Sequence, residues 1–132
     1  MKHGVIIVIR REDKVLAIMR GPRGPYTGYW SLPSGHIDPG EGQADAVARE
    51  AAEELGLEVT PVEKVWECLA DEAPYVLHWW TVRVRSSLDD LRPDAKEVSE
   101  ARWVTASEFL ALEPTFAGDR EFFARVLPTL PR

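Results

Sequence analysis

The chain has 132 residues, 45% of them apolar and 29% charged, and carries a net charge of −6. Such a length and apolar fraction suit a globular fold with a buried core, so residues 1–132 are expected to form one domain. The acidic balance argues against a nucleic-acid polymer as partner, because no basic stripe is available to displace phosphate counterions. No run of apolar residues approaches the ~18 of a membrane span. A single cysteine, Cys68, rules out an internal disulfide and fits a reducing cytoplasm.

In chain order, Gly4 to Ile9 is apolar and β-branched and predicts a buried strand rather than a signal peptide. Glu12 to Lys14 reads as its turn and Val15 to Met19 as the returning strand. The stretch RGPRGPYTGYW is a Gly/Pro-rich loop. Trp30 to Leu32 is a short strand, Pro33 to Gly40 a second loop, and Gly42 to Leu55 a helix closed by Gly56. Val59 to Leu69 predicts a strand broken near Pro61. Tyr75 to Val84 alternates cleanly, with Val76, His78, Trp80 and Val82 on one face. Ser86 to Ser99 is polar loop and Ala101 to Val104 a short strand. Thr105 to Glu108 is a capping box opening a brief helix. Asp119 to Leu127 is a closing helix stopped by Pro128. Strands interleaved with helices imply an α/β protein with a mixed sheet.

The helix after the second loop carries the chemistry. At about 100° per residue, Glu50, Glu53 and Glu54 fall within roughly a 100° arc, while Ala44, Ala48, Ala51, Ala52 and Leu55 form an apolar stripe opposite. Like charges so placed repel, at about 0.2–0.5 kcal/mol for each pair. A solvated acidic face is the plain alternative, yet no lysine lies on that face, and the only cation in the helix is Arg49. A divalent cation would turn the repulsion into binding, since Mg²⁺ and Mn²⁺ prefer oxygen donors and keep positions for water and phosphate.

The segment Gly35 to Leu57, GHIDPGEGQADAVAREAAEELGL, resembles the Nudix hydrolase signature. Its fixed positions are filled by Gly35, Glu41, Arg49, Glu50, Glu53, Glu54 and Gly56, with Leu57 at the last apolar place. Ala51 is smaller than the usual aliphatic, and Ser34 stands where glycine is frequent. The resemblance, MutT-like, implies a Nudix α/β/α sandwich with a mixed β-sheet between helices. It also implies a cytoplasmic, Mg²⁺- or Mn²⁺-dependent pyrophosphohydrolase. Glu50, Glu53 and Glu54 would hold the metal, with the backbone carbonyl of Ser34 or Gly35 as a further ligand. Glu41 and Arg49 would orient those acids. A fourth acid is expected ahead of Trp103. Glu97 suits that spacing and Glu100 competes, and either would act as ligand or general base. Which glutamate serves as base stays open between Glu50, Glu53 and Glu97.

For substrate, the resemblance points to Arg20, with Arg23 second, as phosphate contacts, each otherwise a solvated strand-end arginine. Trp80 suits base stacking, although its strand face also reads as core. His36 reads as a loop hydrogen-bonder in an all-oxygen site. The expected substrate is a small nucleoside di- or triphosphate, intact or damaged. A nucleotide sugar or dinucleoside polyphosphate is the alternative, and the protein would be a monomer or homodimer. The reading from another class is a non-catalytic nucleotide sensor, which retention of every signature acid disfavours.

Overall fold

The computed structural model describes residues 1–71 and 73–131. Its strands are β1 (Lys2–Val8), β2 (Arg10–Arg11), β3 (Lys14–Arg20), β4 (Trp30–Ser31), β5 (Ser34–His36), β6 (Val59–Leu69), β7 (Tyr75–Val84) and β8 (Val98–Val104). The helices are α1 (Gln43–Glu50), α2 (Ala106–Leu110) and α3 (Ala117–Glu121). One four-stranded sheet has the order β5-β1-β7-β6. It is mixed, because β1 runs parallel to β7 but antiparallel to β5. In the second sheet β3 pairs with β2, β4 and β8, all antiparallel.

The alternation along β1 explains the layering. Val5 and Ile7 turn toward α1 and pack with Ala46, Val47, Ala51 and Leu55. Ile6 and Val8 turn the other way, toward Trp79, Phe109, Phe122 and Phe123. Each face of the mixed sheet is thus covered by helix, as the α/β/α expectation requires.

Several boundaries differ from the sequence expectation. Residues 34–36, expected as loop, form β5, because the Ile7 N–H reaches the Pro33 carbonyl at 2.8 Å and the Ile37 N–H reaches the His3 carbonyl at 3.1 Å. β6 continues through Pro61, which is tolerated because β6 is an edge strand whose register shifts between Pro61 and Glu63. β8 starts at Val98, opposite Arg20, rather than at Ala101. The capping box of α2 forms as expected, with the Glu108 N–H on Thr105 Oγ1 at 3.2 Å and the Thr105 N–H on Glu108 Oε1 at 2.8 Å. α3 begins at Ala117 and runs on as wider turns through Val126. Pro128 lies within a final tight turn, Leu127–Thr129, instead of terminating the helix ahead of it. No helix among the described residues is long and apolar enough to cross a membrane.

Candidate active site

β5 lies against β1 with Ser34 opposite Ile6 and Gly35 opposite Val5, and α1 packs across it. The first signature residue must be glycine here: a Cβ on Gly35 would overlap the carboxyl group of Glu50. After Glu50 the helix widens over Ala51–Leu55 and ends at Gly56, whose left-handed φ of 68° glycine adopts without a Cβ penalty. Glu54 is buried beside Val47, Ala51 and Leu55, as about 100° per residue places it roughly 20° from Val47, whereas Ala52 is exposed and Ala44 and Ala48 are half-buried. This corrects the expected apolar stripe: the acidic and buried faces overlap at Glu54 instead of lying opposite.

Arg49 organises the neighbouring acids. Its Nε and Nη2 donate to the two carboxylate oxygens of Glu41 at 2.8 and 2.9 Å. Its Nη1 donates to Glu50 at 2.9 Å and Glu53 at 3.1 Å, and Nη2 also reaches the His36 carbonyl at 2.9 Å. Asp38 lies 3.5 Å away. The fork geometry of guanidinium makes such multiple engagement possible. Arg49 pulls the Glu41 carboxyl down to about 2, and Glu41 in turn raises the Arg49 guanidinium above its ordinary range. Burial raises Glu50, opposed by the hydrogen bond and charge of Arg49.

Glu54 is 9% exposed. Burial, then the charge of Glu50, pushes its carboxyl up to about 8, against the pull of Arg20 and a hydrogen bond from the Ser34 backbone. The charge of Glu97 also bears on it. Glu50, Glu54, Glu97, Ser34, Gly35 and Arg20 are thus brought into one neighbourhood. A buried carboxyl pressed against another, in an all-oxygen donor set with the Glu50 carboxyl seated against Gly35, fits a hard divalent cation. Among the described residues, no three acid, histidine or cysteine side chains already stand at metal-ligand spacing. Glu50 and Glu53 are instead engaged by Arg49.

Two further elements frame the site. Arg20 Nη2 is 3.4 Å from Ser34 Oγ, and its guanidinium carbon lies 5.2 Å from the centre of the Phe116 ring. Its Nε is buried without a hydrogen-bond partner among the described residues. Gly21, which no sequence motif marks, fastens the Glu97 segment. Its N–H donates to the Glu97 carbonyl at 2.9 Å, and a Cβ there would meet the Lys96 carbonyl oxygen at 2.7 Å. Arg23 Nη1 lies 3.7 Å from Glu97 Oε1. Glu100, the competitor of Glu97, is held by Arg102 at 2.7 Å on β8.

Trp80 is not brought together with Arg20. Its indole N–H donates to Gln43 Oε1 at 2.9 Å and its ring packs with the α1 cluster, so the face shared with His78 and Val82 is covered by helix. His36 hydrogen-bonds Tyr75 at 3.0 Å, and His78 is buried against His3 at 2.9 Å. A buried acid that no motif in the sequence marks is Asp119. Its Oδ2 accepts the Leu32 N–H at 2.9 Å, two residues before Ser34. Burial pushes its carboxyl up to about 7, against the Leu32 N–H and the charge of Arg20. An acid in the first turn of a helix ordinarily reads as solvated, so nothing local announces its burial.

The sequence pattern of the NUDIX domain matches residues 2–126, and the chain belongs to that family. It is 30% identical to the NAD-capped RNA hydrolase NudC of Deinococcus radiodurans over 129 residues, covering 96% of this chain and 45% of that protein. It is 32% identical to the CTP pyrophosphohydrolase of Escherichia coli K12 over 74 residues, covering 56% of this chain and 55% of that protein. The chain thus spans about half the length of these two relatives. In three dimensions it resembles the MutT protein from Methanosarcina mazei Go1 at a TM-score of 0.79 and 25% identity, covering 95% of this chain and 91% of the other.

Proposed function

We propose that the chain is a divalent-metal-dependent pyrophosphohydrolase that cleaves a nucleoside di- or triphosphate, intact or damaged, by water attack on a phosphorus of the diphosphate linkage. The observation that carries this reading is the buried Glu54 carboxyl beside Glu50 in the space that Gly35 leaves open. Glu50, Glu53, Glu54 and Glu97, with the carbonyl of Ser34 or Gly35, are the residues that would hold Mg²⁺ or Mn²⁺. A bound ion of this kind supplies neutralisation of phosphate oxygens and a more acidic water. Arg49 orients Glu50 and Glu53 for that task. Arg20, half-buried at Ser34 with its charge bearing on Glu54 and Asp119, offers a fixed positive charge to a phosphate group, and Arg23 a second at the Glu97 segment.

The E. coli relative named for CTP hydrolysis supports a nucleotide substrate. The relative named for NAD-capped RNA supports the second reading, a diphosphate that joins two larger groups. Turnover of nucleoside triphosphates, oxidised nucleotides, dinucleoside polyphosphates and nucleotide sugars, compared with Mg²⁺ and with Mn²⁺, tests both. We expect the first two groups to be favoured at least tenfold in kcat/KM, and loss of about 10²-fold or more in kcat for Glu53→Gln. A tenfold preference for the other groups, about 1.4 kcal/mol, reverses the choice. Binding of nucleotides without turnover under every metal condition would make the chain a sensor.

A further inference from the structure

We propose that Tyr26, backed by Phe116, is the stacking platform for the base of the substrate. The proposal rests on the nucleotide reading above and goes beyond it by assigning the base-binding surface. The five tryptophans, which the composition offers first for such a task, are engaged elsewhere. Trp30 and Trp79 are buried, Trp66 packs on Trp79, Trp80 bonds Gln43, and Trp103 lies under Arg11.

A different aromatic group stands beside the phosphate-binding arginine. The ring centre of Phe116 is 5.0 Å from that of Tyr26 and 4.9 Å from that of Tyr29, and the two tyrosine rings are 5.3 Å apart. Arg20 connects this cluster to the metal-loop side, since its guanidinium touches both Ser34 and the Phe116 ring. One side chain therefore spans from the signature loop to the aromatic cluster. A ligand whose phosphates lie at Arg20 would carry its sugar and base toward the same cluster.

Two features single out Tyr26. It is the exposed member, at 36%, whereas Tyr29 and Phe116 are half-buried. It also holds a φ of 63°, a left-handed conformation that a bulky L-residue rarely adopts. The Tyr29 N–H on the Tyr26 carbonyl at 3.0 Å and the flanking Gly24 and Gly28, both at φ 87°, maintain that turn. Strained backbone of this kind concentrates at ligand clamps. The edge-on packing of Tyr26 against Phe116, at 79° between planes, fixes the ring before a ligand arrives, so little side-chain freedom is lost on stacking. Stacking tolerates any base, because every base has a π-face.

The test compares competitive inhibition by a nucleoside monophosphate and by ribose 5-phosphate, which has no base, during Mg²⁺-dependent turnover of a nucleoside triphosphate. In the parent protein the monophosphate should bind at least tenfold more tightly than ribose 5-phosphate. Tyr26→Ala should erase most of that advantage and raise KM for the triphosphate more than it lowers kcat, while Tyr26→Phe restores the parent ratio. Thermal melting of each variant confirms that it is folded. An unchanged inhibition ratio in Tyr26→Ala, with nucleotide turnover retained, overturns the platform alone. A parent protein that turns over no nucleotide overturns the nucleotide reading and the platform with it.

Discussion

Substituting Glu54 by Gln should make the metal-free protein more stable, and increasingly so as the pH rises. The carboxyl of Glu54 is raised from 4.5 to about 8 in the fold, chiefly by burial and then by the charge of Glu50. A carboxyl raised in this direction contributes stability that is complete below its unfolded value and is lost as the pH rises through its folded value. Between these limits the folded chain must either retain a proton the unfolded chain releases or bury a charge. Integrating the shift gives a penalty of about 3 kcal/mol at pH 7 and about 5 kcal/mol above pH 9. Gln preserves shape without titrating, so Glu54→Gln should lift Tm at pH 7 by roughly 10 °C over the parent in chelator. The difference should vanish near pH 4. Thermal melts from pH 4 to 9, with chelator and then with Mn²⁺, measure this, and Mn²⁺ should stabilise the parent more than the variant. Parallel pH profiles for parent and variant in chelator would refute the reasoning, because Glu54 would then not be the buried titrating group.

Gly35→Ala should cost turnover on the order of 10²-fold and weaken Mn²⁺ binding measured calorimetrically, since the new methyl group takes the space of the Glu50 carboxyl. Gly21→Ala should lower stability by about 1–3 kcal/mol in denaturant melts, because its Cβ would press on the Lys96 backbone. The same shift displaces Glu97, so kcat should fall further than that of a surface substitution such as Glu63→Ala. Asp119→Asn keeps an acceptor for the Leu32 N–H. It removes a carboxyl raised from 3.8 to about 7, so it should stabilise the protein by about 2–4 kcal/mol at pH 8 and little at pH 4.

The acidic signature helix stands out in the sequence because its composition leaves few alternatives. An acid cluster without lysines, a glycine before it and an arginine within it have no economical structural explanation. The features that stayed hidden depended on long-range placement. The alternation of β7 correctly put His78, Trp80 and Val82 on one face. Only the parallel pairing of β7 with β1 shows that α1 packs over this face at Trp80 and Val82. The buried stripe of the helix was misplaced for a local reason: it is centred on Val47 and Ala51, with Ala46 beside them, and at about 100° per residue Glu54 lies roughly 20° from Val47 and is buried with it. Asp119 and Gly21 were missed because each matters through a backbone distant in sequence, that of Leu32 and that of Lys96 and Glu97. No periodicity within AGDREFF or MRGPRG encodes those meetings.

The charge arrangement explains how such a cluster survives folding before any cation arrives. Grouped carboxylates would repel in a partly dry setting, and the fold relieves that repulsion in two ways. Arg49 serves as an internal cation for Glu41, Glu50 and Glu53, with its donors divided among all three. Glu54 lies outside that set of hydrogen bonds and is relieved by protonation, its carboxyl standing at about 8. The two devices are not equivalent. The pairing of Glu41 is bidentate and holds its carboxyl down to about 2, so Glu41 stays committed to Arg49. Glu50 and Glu53 each share only the Nη1 end of the guanidinium, and a competing cation can draw them away without dismantling the Glu41 anchor. Arg49 therefore has a reason to be arginine rather than lysine. A single ammonium could neutralise the acids, but it could not stay fixed by one pair of donors while yielding from another.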